Sequence, residues 1–99
     1  MHARVVTIQF QPGMTDRAIA IFQESVVPAA REQQGFTGGL LLTDRTTGKA
    51  VAISLWETDA DLTAGETGGS YQAQIVRFAG VGIFAGPPVR ETYEVSVQE

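Results

Sequence analysis

Residues 38–56 read GGLLLTDRTTGKAVAISLW, from Gly38 to Trp56, and their pattern decides the fold. Two apolar runs, Gly38 to Asp44 and Ala50 to Trp56, are each the length of a strand and too short for a stable helix. Arg45-Thr46-Thr47-Gly48-Lys49 joins them with the length and the glycine of a hairpin loop. In the second run Val51, Ile53 and Leu55 fall on one face, and Ala50, Ala52, Ser54 and Trp56 on the other.

Upstream, Arg4 to Phe10 (RVVTIQF) is a further strand, with Val6, Ile8 and Phe10 on one face and Val5, Thr7 and Gln9 on the other. Gln11-Pro12-Gly13 breaks it. Thr15-Asp16 then supplies a capping side chain and an acid for the start of a helix. Its apolar positions Ile19, Phe22, Val26, Ala29 and Ala30 recur at helical spacing to about Gln34. Pro28 lacks a backbone donor, so it kinks or divides this helix, and Gly35 stops it.

Downstream, Thr58 or Asp59 caps a short helical stretch to about Ala64, interrupted by Gly65, Gly68 and Gly69. Ser70 can cap a new start, after which Tyr71, Ile75 and Phe78 form one apolar helical stripe. Ala79 to Pro88 reads as a loop, and Val89 to Val97 as a last strand with Val89, Tyr93, Val95 and Val97 on one face and Glu91 the exception among them. The order is β-α-β-β-α-β. It predicts an α+β, ferredoxin-like domain over residues 1–99: a four-stranded antiparallel sheet with the helices on one face.

Such a sheet normally shows water a polar second face. Here both faces of the first and third strands are apolar or small, and the row Ala50, Ala52, Ser54 and Trp56 is expected on the uncovered side beside Val5 or its neighbours. Exposed apolar patches of this kind mark interaction sites. The expectation is a homodimer closed through sheet faces; the alternative is a monomer with a weakly polar outer face.

Composition narrows the classes. The chain of 99 residues is 43% hydrophobic, enough for a core and too much for disorder. A net charge of −4, with the seven basic residues scattered, argues against a nucleic-acid partner. No apolar run nears the roughly 20 residues of a membrane span. The start Met1-His2-Ala3-Arg4 lacks the pattern of a secretory signal, and there is no cysteine, so a cytoplasmic location is expected.

The stretch Pro28 to Leu62 resembles the antibiotic biosynthesis monooxygenase-like domains of the dimeric α+β barrel superfamily. The likeness lies in a first helix ending in Gln34-Gly35-Phe36, in Gly38-Gly39 opening strand two, and in Leu55-Trp56-Glu57 before the acidic helix start Asp59-Ala60-Asp61. The resemblance implies a dimeric α+β barrel. It also implies a possible cofactor-independent oxygenase acting on a small aromatic or quinol-type substrate, with a non-catalytic homodimeric ligand-binding or interaction module as the alternative. Haem-degrading members use an Asn, a Trp and a His; this chain has no Asn, and its single His, His2, is expected at a frayed terminus. Haem degradation is not expected.

Without a cofactor, the substrate's own phenolate or enolate must activate oxygen, and the protein needs an aromatic cavity and a donor that stabilises the anion. The candidates are Arg77 for charge, Tyr71 for a hydroxyl, and Trp56 and Phe78 with Tyr71 as ligand-binding walls. Against this stands the plainer reading of Tyr71 and Trp56 as packing aromatics and Arg77 as a solvated residue. One His and no Cys make a transition-metal site unexpected. Glu57, Asp59 and Asp61 read as helix-start acids rather than a cation site. Gly80, Gly82 and Gly86 do not follow a strand or open a helix, so they make no nucleotide fingerprint.

Overall fold

A computed structural model of the protein describes the backbone of residues 1–99 and every side chain except that of Ser70. Strands β1 (His2–Gln9), β2 (Phe36–Thr43), β3 (Lys49–Trp56) and β4 (Val89–Glu94) form one antiparallel sheet in the order β2-β3-β1-β4. The order and the antiparallel pairing are those expected for a ferredoxin-like α+β domain.

The first helical region comprises α1 (Thr15–Ile21), a π-helical turn at Phe22–Val26, and α2 (Val27–Arg31). The expected division at Pro28 is present, and its form is the wider turn just ahead of the proline. Pro28 offers no N–H to the carbonyl one turn back, and its ring crowds that carbonyl, so the preceding backbone takes up wider spacing. The helix begins on Met14 with no side-chain cap, so Thr15 is its first residue rather than its cap. Helix α3 (Asp59–Thr67) starts where Thr58 Oγ1 accepts from the Asp61 N–H, at 3.0 Å. It continues through Gly65, beyond the expected end at Ala64. Helix α4 (Ser70–Gly80) starts after Gly69, whose φ of +88° suits a residue without Cβ. The expected cap by the Ser70 side chain lies outside the described residues.

Register decides which strand face meets the helices, and it reverses one expectation. Val6 pairs with Ala52, Arg4 with Ser54, and His2 with Trp56. Val6 and Trp56 are buried in the interior, and Arg4, Ala52 and Ser54 line a cavity there. The row Ala50, Ala52, Ser54 and Trp56 therefore faces the helices. The uncovered face carries instead Leu42-Val51-Thr7-Val89 and Leu40-Ile53-Val5-Glu91 across the four strands, with Leu55, Ala3 and Tyr93 below. Leu40 and Val89 are 55% exposed, and Leu42 and Tyr93 50%. An apolar uncovered face is present, built from the opposite row of β3.

The core gathers Val6, Ile8, Phe10, Ala18, Ala50, Phe78 and Ile83. Ile83 and Phe84 come from the segment read as a plain loop, and Phe10 bridges to Phe84 in the manner of a strand. Strand β4 ends at Glu94, so Val95 and Val97 lie outside it. Nor is His2 frayed: it lies in β1, pairs with Trp56 and Glu94, and its Nδ1 is buried. Strands β3 and β4 pair with β1 from His2 onward.

Candidate functional site

Between the helical layer and the sheet lies a cavity of about 500 Å³. Its walls follow from the alternation of β1 and β3, which aim Val6, Ile8, Ala52 and Trp56 inward, and from the helical stripe of α4. Tyr71, Ile75 and Phe78, spaced for one helix face, all line it. Phe78 is buried and stacks on Phe84 with ring centres 5.8 Å apart. The alanines of β3 leave the space that larger side chains would fill.

Trp56 is 2% exposed; its indole Nε1–H donates to Ser54 Oγ at 3.0 Å, and Phe36 packs edge-on at 5.5 Å. Beside it stands a residue the strand pattern concealed. Arg4, 7% exposed, also lines the cavity, with its guanidinium 5.3 Å from the Trp56 ring centre and 5.1 Å from that of Tyr71. Arg90 also approaches Tyr71, 5.4 Å from the same ring. Glu66 of α3 reaches Arg4 Nε at 3.5 Å and Arg90 Nη1 at 3.2 Å. Gly65 makes this approach possible: a Cβ there would lie 2.7 Å from Gln33 Oε1, 3.4 Å from Arg4 Nη2 and 3.6 Å from Trp56.

The electrostatics follow from burial. Desolvation lowers the pKa of Arg4, opposed by the nearby Glu66 carboxylate. Burial raises that of Tyr71, and the fields of Arg90 and Arg4 work against the rise. Tyr71 is thus a neutral hydroxyl donor at ordinary pH, set between two cations.

The structure brings Trp56, Tyr71 and Phe78 to one cavity but does not bring Arg77 there. Arg77 lies on the exposed side of α4 and donates from Nη1 to Ser25 Oγ at 2.7 Å. It sits six residues after Tyr71, too far round a helix with 3.6 residues per turn to share the Tyr71-Ile75-Phe78 stripe. The buried cation at the cavity is Arg4; Arg31, also on its wall, is exposed. The signal of Arg4 was present in the sequence, since it begins the alternating row that continues as Val6, Ile8 and Phe10. An arginine at the head of an inward row is a buried charge. Glu66 and Arg90 gave no such sign, because only the packing of α3 against β1 and β3 brings Glu66 to both arginines.

Asp59 and Asp61 lie in the first turn of α3, where the helix dipole favours acids. Among the described residues no group of three or more His, Cys, Asp or Glu could hold a metal ion. His2 does not line the cavity, so the chain's single imidazole is not placed to ligate a haem iron there.

No family model matches the chain. It is 33% identical over 96 residues to the uncharacterized protein Rv2557 of Mycobacterium tuberculosis, a match covering 97% of this chain and 41% of that protein. The chain thus spans less than half the length of the curated relatives it matches. Among solved structures it is similar to a monooxygenase, ActVA-Orf6 of Streptomyces coelicolor, crystallised with the ligand Nanaomycin D. The TM-score is 0.82 at 16% identity, over 99% of this chain and 89% of that one. It is also similar to the haem degrader MhuD of M. tuberculosis with two haems in its active site, at TM-score 0.79 and 18% identity, over 100% of this chain and 99% of that one. At such identities these likenesses establish the architecture, and the strand order, the helical layer and the interior cavity agree with it. These likenesses give the chain the fold seen in solved antibiotic biosynthesis monooxygenase-like proteins.

Proposed function

We propose that residues 1–99 form a single ligand-binding domain of monooxygenase type, which takes a small aromatic or quinol-type molecule into the interior cavity and oxidises it without metal or organic cofactor. The observation that carries this reading is the apolar cavity of about 500 Å³ with Arg4, Trp56 and Tyr71 together at its wall. Cavities of this size and lining suit small organic ligands. Trp56 and Phe78 serve as walls, Tyr71 offers a hydroxyl, and Arg4 takes the charge-stabilising role first assigned to Arg77. A substrate such as anthrone has a benzylic CH₂ flanked by two rings and gives a stabilised enolate. Reaction of that carbon with O₂ forms a new C=O from one oxygen atom. The other oxygen leaves as water with the two hydrogens lost from carbon, so dioxygen is the oxidant. Arg4 and Tyr71 stabilise the oxyanion as it forms.

A second copy of the chain, packed through the apolar sheet face, completes the molecule, and the cytoplasm is its place of action. Among the described residues no helix is long and apolar enough to cross a membrane.

Oxygen uptake with a panel of naphthols and anthrones tests the reaction: stoichiometric uptake with conversion to quinone supports it, and none across the panel defeats it. One observation favours a second reading, a non-catalytic homodimeric binder of small apolar ligands. No Asp, Glu or His lines the cavity among the described residues, so no side-chain base is at hand to generate the enolate. Saturable ligand binding without oxygen uptake would select this reading.

A further inference from the structure

Glu66 is the acid whose field acts on Arg4, and it is shared between two cations. The charged groups acting on Arg4 are Glu66 and Arg90, with the Tyr71 hydroxyl between them. Arg4 and Arg31 line the cavity, and among the described residues no Asp or Glu does, so the charge on its wall is positive. The pairing is also loose. At 3.5 Å the contact from Arg4 Nε to Glu66 is longer than a charge-assisted hydrogen bond, and Nε finds no hydrogen-bond partner among the described residues. A buried cation so poorly satisfied is costly unless something completes it. The guanidinium carbon lies 5.3 Å from the Trp56 ring centre and 5.1 Å from that of Tyr71, and Arg4 lines the cavity. The rest of the cavity wall is mostly apolar: Val6, Ile8, Ala52, Ile75, Phe78 and Phe84.

Resting on the cavity reading above, we propose that the ligand is a ring-bearing monoanion, seated with its oxyanion on Arg4 beside the Tyr71 hydroxyl and its apolar rings toward Phe78 and Phe84. The charged end is a carboxylate, or a phenolate or enolate already ionised when it enters. A ligand arriving as the anion also fits a cavity that supplies no side-chain base.

The test uses a matched pair of probes, 2-naphthoate and 2-naphthamide, which share a ring system and differ in charge. Binding is read by the indole N–H resonance of Trp56, the chain's one tryptophan, which reports from the cavity wall. Naphthoate should bind about 10- to 100-fold more tightly than naphthamide, the worth of one charge-assisted contact in a desolvated site. In Arg4→Gln that preference should vanish. Should Arg4→Gln fail to fold, Glu66→Gln decides, because removing the one carboxylate must widen the preference for the anion. Equal binding of the two probes, or a preference untouched by both substitutions, overturns the anionic ligand and leaves the cavity reading standing. Failure of both probes to move the Trp56 resonance overturns the anionic ligand and the cavity reading together.

Discussion

Replacing Leu40 and Leu42 together by Glu tests the pairing of two copies through the uncovered sheet face. Both side chains already bury about half their surface within one copy, with 55% and 50% still exposed. Full burial of a leucine is worth about 1.5–3 kcal/mol, so covering the exposed half is worth about 1 kcal/mol. A symmetric pair uses each position twice, which makes the two leucines worth about 4 kcal/mol per dimer. Val89 and Tyr93, equally exposed on the same face, contribute on a similar scale. The combined gain of about 8 kcal/mol falls within the cost of association, about 4–15 kcal/mol, so the dimer is one of modest affinity. Losing about 4 kcal/mol shifts its dissociation constant by about a thousandfold, before any penalty for burying four carboxylates. Sedimentation velocity and light scattering at micromolar concentration should show a dimer for the parent chain and a monomer for Leu40→Glu/Leu42→Glu. Circular dichroism should show unchanged secondary structure, because neither side chain enters the interior. A parent chain that is already monomeric refutes the reasoning, and so does a doubly substituted chain that remains a dimer.

Three further outcomes follow from the geometry. Arg77→Ala should leave ligand affinity unchanged and cost no more than about 1 kcal/mol in chemical denaturation, since it removes an exposed hydrogen bond to Ser25 and nothing from the cavity. Ala52→Leu should raise the melting temperature, gaining up to about 2 kcal/mol by placing carbon atoms in empty space, and should weaken ligand binding. If the cavity were filled, the same change would cost about 1–3 kcal/mol as overpacking, and thermal unfolding distinguishes the two signs. In an alkaline absorbance titration neither tyrosine should ionise at the ordinary value. Burial raises Tyr71, whereas the hydrogen bond to Glu91, 2.8 Å long, raises Tyr93. Because the folded chain keeps the Tyr71 proton above the pH at which an unfolded chain releases it, the stability tied to that proton is complete below about pH 10. It is lost as pH climbs through the raised value, and Tyr71→Phe should flatten that loss in denaturation measured against pH.

Much of the architecture was legible because it rests on local chemistry. Short apolar or β-branched runs marked β1 to β3 and alternation marked β4, the hairpin loop at residues 45–49 joined β2 to β3, and Gly35 and Pro28 punctuated the first helical region. Short-range backbone preferences act on residues close in the chain, so their traces survive in the order of residue types. The stripe Tyr71-Ile75-Phe78 was legible for the same reason, and it does line the cavity.

What tertiary structure alone decided was which face of each strand looks inward and which distant charges meet. A strand with two apolar faces has no local preference between them. The pairing of Val6 with Ala52, and the side on which the helices settle, placed the alanine row of β3 inside and Val51, Ile53 and Leu55 outside. The cluster of Arg4, Trp56, Glu66, Tyr71 and Arg90 draws one residue from each of five elements. No spacing in the chain encodes such a meeting, because a buried charge finds its partners across the core. Arg77, next in the chain to the cavity-lining Phe78, faces solvent because helical geometry turns it there.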